Sequence, residues 1–359
     1  NNLKNLELPR NLQKLGAQCL TNTGLSKIKF PKSLETIGTR ALEISRLKEI
    51  DTSENDYFEF KNGALYNKDL NTLFLVLSNI TSINIDNKVE TIKSGAFSLC
   101  NQLTTINIPS GVNTIEGNVF SNQNLKNITV DSLSSSFKTD TNGNLYSYDG
   151  KVLYRLFNTG DVTIQTGVEN IKSGAIIDNG KIKSLVLPDS YIGDNGTTWN
   201  IFPTLDYLIL PKNVKTFDKR AYNKIKTIKV SEDNPYFESI NDEYLVSEDG
   251  TALYWVKSDL TNIDIPETVT TIKTMALMLT KANIIKLPEN ITKIEDYMVY
   301  NSSSVKKIEI QSKIETISSL AFSGLNNLKE VIIHKKNDGT LTGSPWGCIY
   351  GDKAIIWDE

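Results

Sequence analysis

Residues 80–125 state one apolar pattern twice. Ile80, Ile83 and Ile85 are followed by Val89, Ile92 and the pair Ala96-Phe97; Leu103, Ile106 and Ile108 are followed by Val112, Ile115 and the pair Val119-Phe120. Every apolar position returns after 23 residues. A period of this length marks stacked supersecondary units, each touching only its neighbours. With Leu103 as position 1, the frame is apolar at 1, 4 and 6, often Pro at 7, apolar at 10 and 13, small at 17 and aromatic or aliphatic at 18. It begins at Leu3, Leu25, Leu47, Ile80, Leu103, Leu125, Thr159, Ile182, Leu205, Ile225, Leu260, Ala282, Val305 and Leu328, fourteen units in all.

The 1-4-6 portion reads as a short strand, because residues 4 and 6 share one face at the pleated period of two. Pro at position 7 lacks a donor and marks where the strand ends and the chain turns. Positions 10, 13, 17 and 18 fit a turn and a short helical or 3₁₀ return over the core. One unit buries about six apolar side chains, worth roughly 1.5–3 kcal/mol each. Fixing its backbone costs roughly 1–2 kcal/mol per residue, so a lone unit cannot stand and neighbours must share cores. The expectation is an α/β repeat solenoid over residues 1–359, a single array of parallel strands. At about 4.8 Å per strand, fourteen units would extend on the order of 65 Å.

Three units are longer, with 33 residues from Leu47, 34 from Leu125 and 35 from Ile225. Phe58 precedes Gly63-Ala-Leu65-Tyr66…Leu73-Phe74, Phe137 precedes Gly143-Asn-Leu145-Tyr146…Leu153-Tyr154, and Phe237 precedes Tyr244-Leu245-Val246…Leu253-Tyr254. Asp149-Gly150 and Asp249-Gly250 between alternating apolar residues signal β-hairpins, placed near 57–77, 137–157 and 237–257. That register pairs Leu145 with Tyr154, Leu245 with Tyr254 and Leu65 with Phe74. One step inward it pairs Tyr146 with Leu153, Val246 with Leu253 and Tyr66 with Leu73. Asp69-Leu70 lacks the glycine and is expected to turn differently. The unit from Ile182 departs most, through Tyr191…Trp199. The last breaks after His334, and residues 334–359 read as a cap closed by a strand at Ala354-Ile-Ile-Trp357.

The units resemble leucine-rich repeats but carry no Asn ladder at position 9, often have Pro at 7 and place a small-aromatic pair at 17–18, as in Ala96-Phe97 and Ala321-Phe322. That combination is similar to the BspA-type leucine-rich repeat family of bacterial and protist surface proteins, as are the Gly-x-Leu-Tyr…Asp-Gly…Leu-Tyr inserts. The resemblance implies a right-handed superhelix and a secreted or surface-attached protein. It also implies that the curved face binds macromolecules, in some members host matrix or plasma proteins.

Composition fits that picture. Lys plus Arg (39) nearly balances Asp plus Glu (42). A nucleic acid or an anionic membrane demands a basic face, so neither is expected as a main partner. The longest apolar run, near Leu73–Leu77, is far short of the ~20 residues of a membrane span. The numbering starts inside a repeat, which reads as a processed or truncated fragment. The three cysteines fall in unrelated frames and form no disulfide or zinc spacing. Cys19 takes the small slot of Ala96 and is read as core packing.

Chemistry is sparse. His334 is the single histidine, without a second ligand nearby, and is read as a surface or capping residue. Gly343-Ser344-Pro345 makes no nucleophile elbow. Gly174…Gly180-Lys181 has five residues between its glycines and Ile182 where Ser or Thr should hold magnesium. Asp140-Thr-Asn142-Gly143-Asn144 has its glycine too early for a calcium loop, and Lys151 where a bidentate Glu belongs. No cofactor or metal is expected. Asn79, Asn127 and Asn290 begin Asn-x-Thr triplets, acceptors only in a eukaryotic secretory host.

What remains is surface. Positions 3 and 5 face away from the core and are mostly polar, as at Asn5, Glu7, Lys27, Lys29, Ser82, Asn84, Thr105 and Asn107. In two adjacent units Val186, Tyr207 and Ile209 break this rule and would lie side by side. An exposed apolar cluster with an aromatic has the character of a binding patch, unless the Trp199 loop or a hairpin folds over it. Tyr148 and Trp255, near the hairpin tips or flanks, form a second candidate set against local packing. The reading is a monomeric, non-enzymatic adhesion or interaction module binding an extracellular protein; the alternative is a glycan-binding module or a rigid surface spacer.

Overall fold

The computed structural model describes residues 3–358 apart from 45, 121, 123 and 194–200. The chain divides into two compact units: residues 1–158 with 168–179, and residues 159–167 with 180–359. Both are β-solenoids of stacked parallel strands. The first strand of each coil occupies positions 3–6 of the frame. In the first unit Lys27–Lys29 pairs with Glu49–Asp51, and Thr105–Ile108 with Asn127–Val130. In the second unit Gly160–Thr163, Ile182–Val186, Tyr207–Leu210 and Ile228–Val230 form one sheet. Positions 4 and 6 point inward: Ile106, Ile108, Ile308 and Ile310 are all fully buried.

The α/β expectation is not borne out. Among the described residues the one helical piece is a 3₁₀ turn, Gly351–Ala354. Positions 12–13 instead form a second parallel ladder, in which Thr91-Ile92 pairs with Thr114-Ile115, and Thr271-Ile272 pairs with Lys293-Ile294 and onward to Thr316-Ile317. Position 16 then denies the chain a helix. Gln18, Arg40, Asn118, Met275 and Tyr297 all sit there with φ between 56° and 60°, and Gly95 and Gly174 hold φ of 78° and 75°. A left-handed residue one step before the buried 17–18 pair interrupts any α-helical run. The return is therefore built from isolated turns, such as Ala96 N–H to Lys93 O at 3.1 Å and Cys100 N–H to Phe97 O at 3.1 Å.

Each insert is a three-stranded antiparallel meander rather than a two-stranded hairpin. The first consists of Phe58–Lys61, Ala64–Asn67 and Thr72–Val76. Its third strand begins with Thr72-Leu73, which pairs in parallel with Thr91-Ile92. Val152-Leu153 and Ala252-Leu253 do the same for their neighbours, so each insert supplies its own piece of the second ladder. The inner pairs stand as expected, Tyr66 with Leu73, Tyr146 with Leu153 and Val246 with Leu253. The outer pairs are displaced by one: Leu65 faces Leu75, Leu145 faces Arg155 and Leu245 faces Trp255. A β-bulge frees the aromatic residue between them. Phe74, Tyr154 and Tyr254 each turn edge-on to the phenylalanine that opens their insert, at 5.3, 5.2 and 5.1 Å. The first turn also differs from expectation. Leu70 adopts φ of 63° where Gly150 and Gly250 hold 81° and 71°, so the same turn forms without glycine.

Two buried asparagines tie the first and third inserts to the preceding coil. Asn55 Nδ2 donates to Pro31 O and Leu34 O, while its Oδ1 accepts from the N–H groups of Tyr57 and Phe58. Asn234 repeats every bond, to Pro211 O, Val214 O, Tyr236 N–H and Phe237 N–H. In the second insert Ser134 accepts the two N–H bonds at 3.3–3.4 Å.

Buried cations pin two of the three inserts. Arg155 donates to Phe120 O at 2.7 Å and Asn122 O at 3.1 Å, with its guanidinium 5.1 Å from the Phe157 ring. Burial lowers its pKa to about 10. In the third insert the cation comes from the opposite wall: Lys219 donates to Val256 O at 2.7 Å and lies 4.9 Å over the Trp255 ring. Burial holds its pKa well below 10.5.

At the C-terminal end Ile355–Trp357 pairs in parallel with Glu330–Ile333. Behind it the fully buried Trp346 meets Phe322 edge-on at 6.3 Å.

Asn234→Ala should cost about 1–3 kcal/mol, since it orphans buried carbonyls and amides together; a urea melt would show a lowered midpoint. For Lys219 the sign follows from proton binding. Below 10.5 the unfolded chain holds this proton more readily than the folded chain, so stability rises with pH toward that value. The melting temperature of the parent, relative to Lys219→Met, should therefore climb between neutral pH and 10.5.

Candidate interaction surface

The outer face of the first ladder in the first unit is charged and polar. Lys27 faces Glu49 at 3.6 Å, Lys29 reaches Glu54 at 2.7 Å, and Thr129 Oγ1 donates to Asn107 Oδ1 at 2.9 Å. Bonds from the Ser53 hydroxyl and N–H, with the nearby lysines, hold the Asp51 carboxyl below the usual range. These groups satisfy one another and offer water a conventional surface.

The second unit differs. Parallel pairing sets Thr163, Val186, Ile209 and Lys229 in one row across four strands, and Ser184 beside Tyr207 in the next. The structure thus brings all three sequence-derived residues together. Val186 is 37% exposed, while Tyr207 and Ile209 are half-buried. Lys229 Nζ lies 6.0 Å from the Tyr207 ring and 3.5 Å from Asp242, and Lys226 pairs with Asp206 at 2.7 Å. Ser184 Oγ donates to Asp161 at 2.6 Å and is buried beside the patch. The result is an apolar centre with a charged border, compatible with a protein surface of mixed character. Trp199, the expected alternative cover, lies outside the described residues.

Other readings are redistributed. Trp255 is not at a hairpin flank in solvent but buried beneath Lys219. Tyr148 stays exposed at its tip, with Lys138 Nζ 5.9 Å from the ring. Cys19 is exposed, against the core expectation, and Leu20 beside it takes the buried place. Burial lifts the Cys100 thiol to about 12 and the Cys348 thiol to about 11. Asp140 is engaged by the N–H groups of Asn142 and Asn144 and the Asn144 amide, which explains the calcium-like spacing as a turn. His334 Nδ1 sits 3.3 Å from Asp358. Among the described residues no group of three His, Cys, Asp or Glu converges, and no helix is long and apolar enough to cross a membrane.

Sequence reasoning passed over Ile284 and Ile356, which are 55% and 44% exposed on the outer face of the last sheet. Their signal was available: Ile284 occupies position 3, a slot polar in most units.

The family model for the BspA type leucine rich repeat region matches residues 1–79, 73–196, 143–245 and 251–343. The chain belongs to this family. The solved structures it resembles include the pneumococcal vaccine antigen PcpA, at 19% identity and TM-score 0.32, over 97% of this chain and 66% of that one. The chain thus spans just under two thirds of the solved antigen. Others are a leucine rich cell surface protein from Faecalibacterium prausnitzii, at 18% identity and TM-score 0.35 over 93% and 80% of the two chains, and a leucine-rich repeat protein from Eubacterium ventriosum, at 18% and 0.39 over 84% of each. No curated protein matches the chain.

Because Val186 borders solvent, Val186→Lys should leave folding stability within about 0.5 kcal/mol of the parent, as for surface substitutions generally. Thermal melts of the two proteins check this directly.

Proposed function

We propose that this chain is a non-enzymatic interaction module of an extracellular or cell-surface protein, engaging a protein partner through Val186, Tyr207 and Ile209. Membership in the BspA-type family supports the broad role. The patch itself supports the site: on outer faces where most positions carry polar residues, two adjacent strands present contiguous apolar side chains, one of them aromatic. Tyr is favoured at such centres because it brings large contact area with few rotors to freeze. The Lys229 and Asp206–Lys226 border would set orientation and encounter rate more than affinity. Secretion and adhesion are part of the same proposal.

The test is surface plasmon resonance of the chain against immobilised matrix proteins, plasma proteins and glycans at low and physiological salt. A salt-tolerant protein hit should weaken at least tenfold in Tyr207→Ala/Ile209→Ser, with the melting temperature unchanged. A hit indifferent to that pair of substitutions would move the site elsewhere. Capture of glycans alone would favour the glycan reading, and no binding at all would favour a spacer.

A further inference from the structure

The three inserts dock by one plan, with one difference. Each turns the residue after its bulged aromatic toward the preceding coil: Leu75 lines a cavity with Thr39, Arg155 reaches the backbone at Phe120 and Asn122, and Trp255 lies beneath Lys219. In the second and third junctions a long cationic side chain from one wall fills the space and donates to backbone carbonyls of the other. In the first, neither residue is long. The carbonyl of Val76, counterpart of the Val256 acceptor, receives the Cys100 thiol at 3.3 Å instead. A cavity of about 160 Å³ is left between the turns at 38–43 and 93–98 and the insert.

Its lining is chemically organised. Leu65, Phe74 and Leu75 supply an apolar wall. Two closed ion pairs flank it: Arg40 Nη2 with Glu43 Oε1 and Lys93 Nζ with Glu116 Oε1, both at 2.7 Å. Ser94 N–H holds the other Glu116 oxygen at 2.9 Å. The buried Nε–H of Arg40 has no acceptor among the described residues.

We propose that this cavity binds a neutral polyhydroxylated ligand, a single pyranose ring or the terminal sugar of a glycan. The volume corresponds to about five waters at ~30 Å³ each, the scale of one sugar ring. The four charges cancel in pairs, so a charged ligand would be desolvated without a free counter-ion, which is costly. Hydroxyls avoid that cost. They donate to carboxylate lone pairs that the ion pairs leave open. The C–H face of the ring covers Leu75 and Phe74. This pocket lies in the first unit and is independent of the Val186–Tyr207–Ile209 patch of the second.

Ligand-observed saturation-transfer NMR on the full chain tests it, with methyl glycosides of glucose, galactose, mannose and N-acetylglucosamine, and leucine as a zwitterionic probe. Binding of at least one glycoside is expected. It should weaken at least tenfold in Leu75→Arg and in Thr39→Lys, which fill the cavity from opposite walls as the other junctions do. Two variants are used so that a folding failure in one leaves the other to decide, circular dichroism reporting which. A matching oligosaccharide that binds more tightly than its free terminal sugar identifies a glycan source; equal affinity identifies the free sugar. Binding of leucine alone, of nothing, or of a glycoside equally well to the parent and a folded variant would overturn the proposal.

Discussion

Everything in this protein depends on apolar side chains being shared between consecutive coils. A coil of about 23 residues has too few inward positions to offset the entropy of ordering itself. The parallel ladders solve this by placing position 4 on position 4 and position 13 on position 13, so each buried Ile or Leu is covered by its counterparts on either side. Ile106 on Ile128 and Ile308 on Val331 are instances of one contact made repeatedly. The same logic demands two ladders. A single sheet would leave positions 10 and 13 without a partner layer, and the turns at position 16 bring them round to face the first strand.

The inserts are where this regularity is suspended and must be restored. Each opens a coil between its two strands, adds an antiparallel meander, and then re-enters the second ladder at Thr72, Val152 or Ala252. A bulge allows that re-entry while turning an aromatic ring onto the opening phenylalanine. The seam against the preceding coil is closed differently each time, by Arg155, by Lys219 with Trp255, or with a cavity beside Leu75. Burying an unpaired cation is tolerated because Arg155 Nη1 and Nη2 and Lys219 Nζ reach carbonyls and an aromatic ring lies alongside each, at the expense of a depressed pKa.

Function, on this architecture, belongs to positions that the core does not use. Positions 3 and 5 are free to vary, and their polarity over most of the first unit makes the apolar row at Val186 and Ile209 informative. The pocket beside Arg40 arises the same way, from a junction whose filling residue is short.

The amino-acid sequence by itself determined the coil frame, the location of the three inserts and the outward alternation that sets Val186, Tyr207 and Ile209 on the outer face. Those follow from periods of two and 23 that any stacked arrangement must respect. The family was legible for the same reason, since Pro at 7 and Ala-Phe at 17–18 repeat often enough to be read locally. Only the tertiary structure decided the rest. It made the return segment a strand and turns instead of a helix, because a left-handed backbone at Arg40, Met275 or Tyr297 leaves no mark in side-chain periodicity. It slipped the hairpin register by one, because a bulge is set by where Phe74 finds Phe58. It also buried Trp255 and Lys219 together and left space beside Leu75, since which side chain fills a seam depends on partners 33–37 residues away that no local pattern specifies.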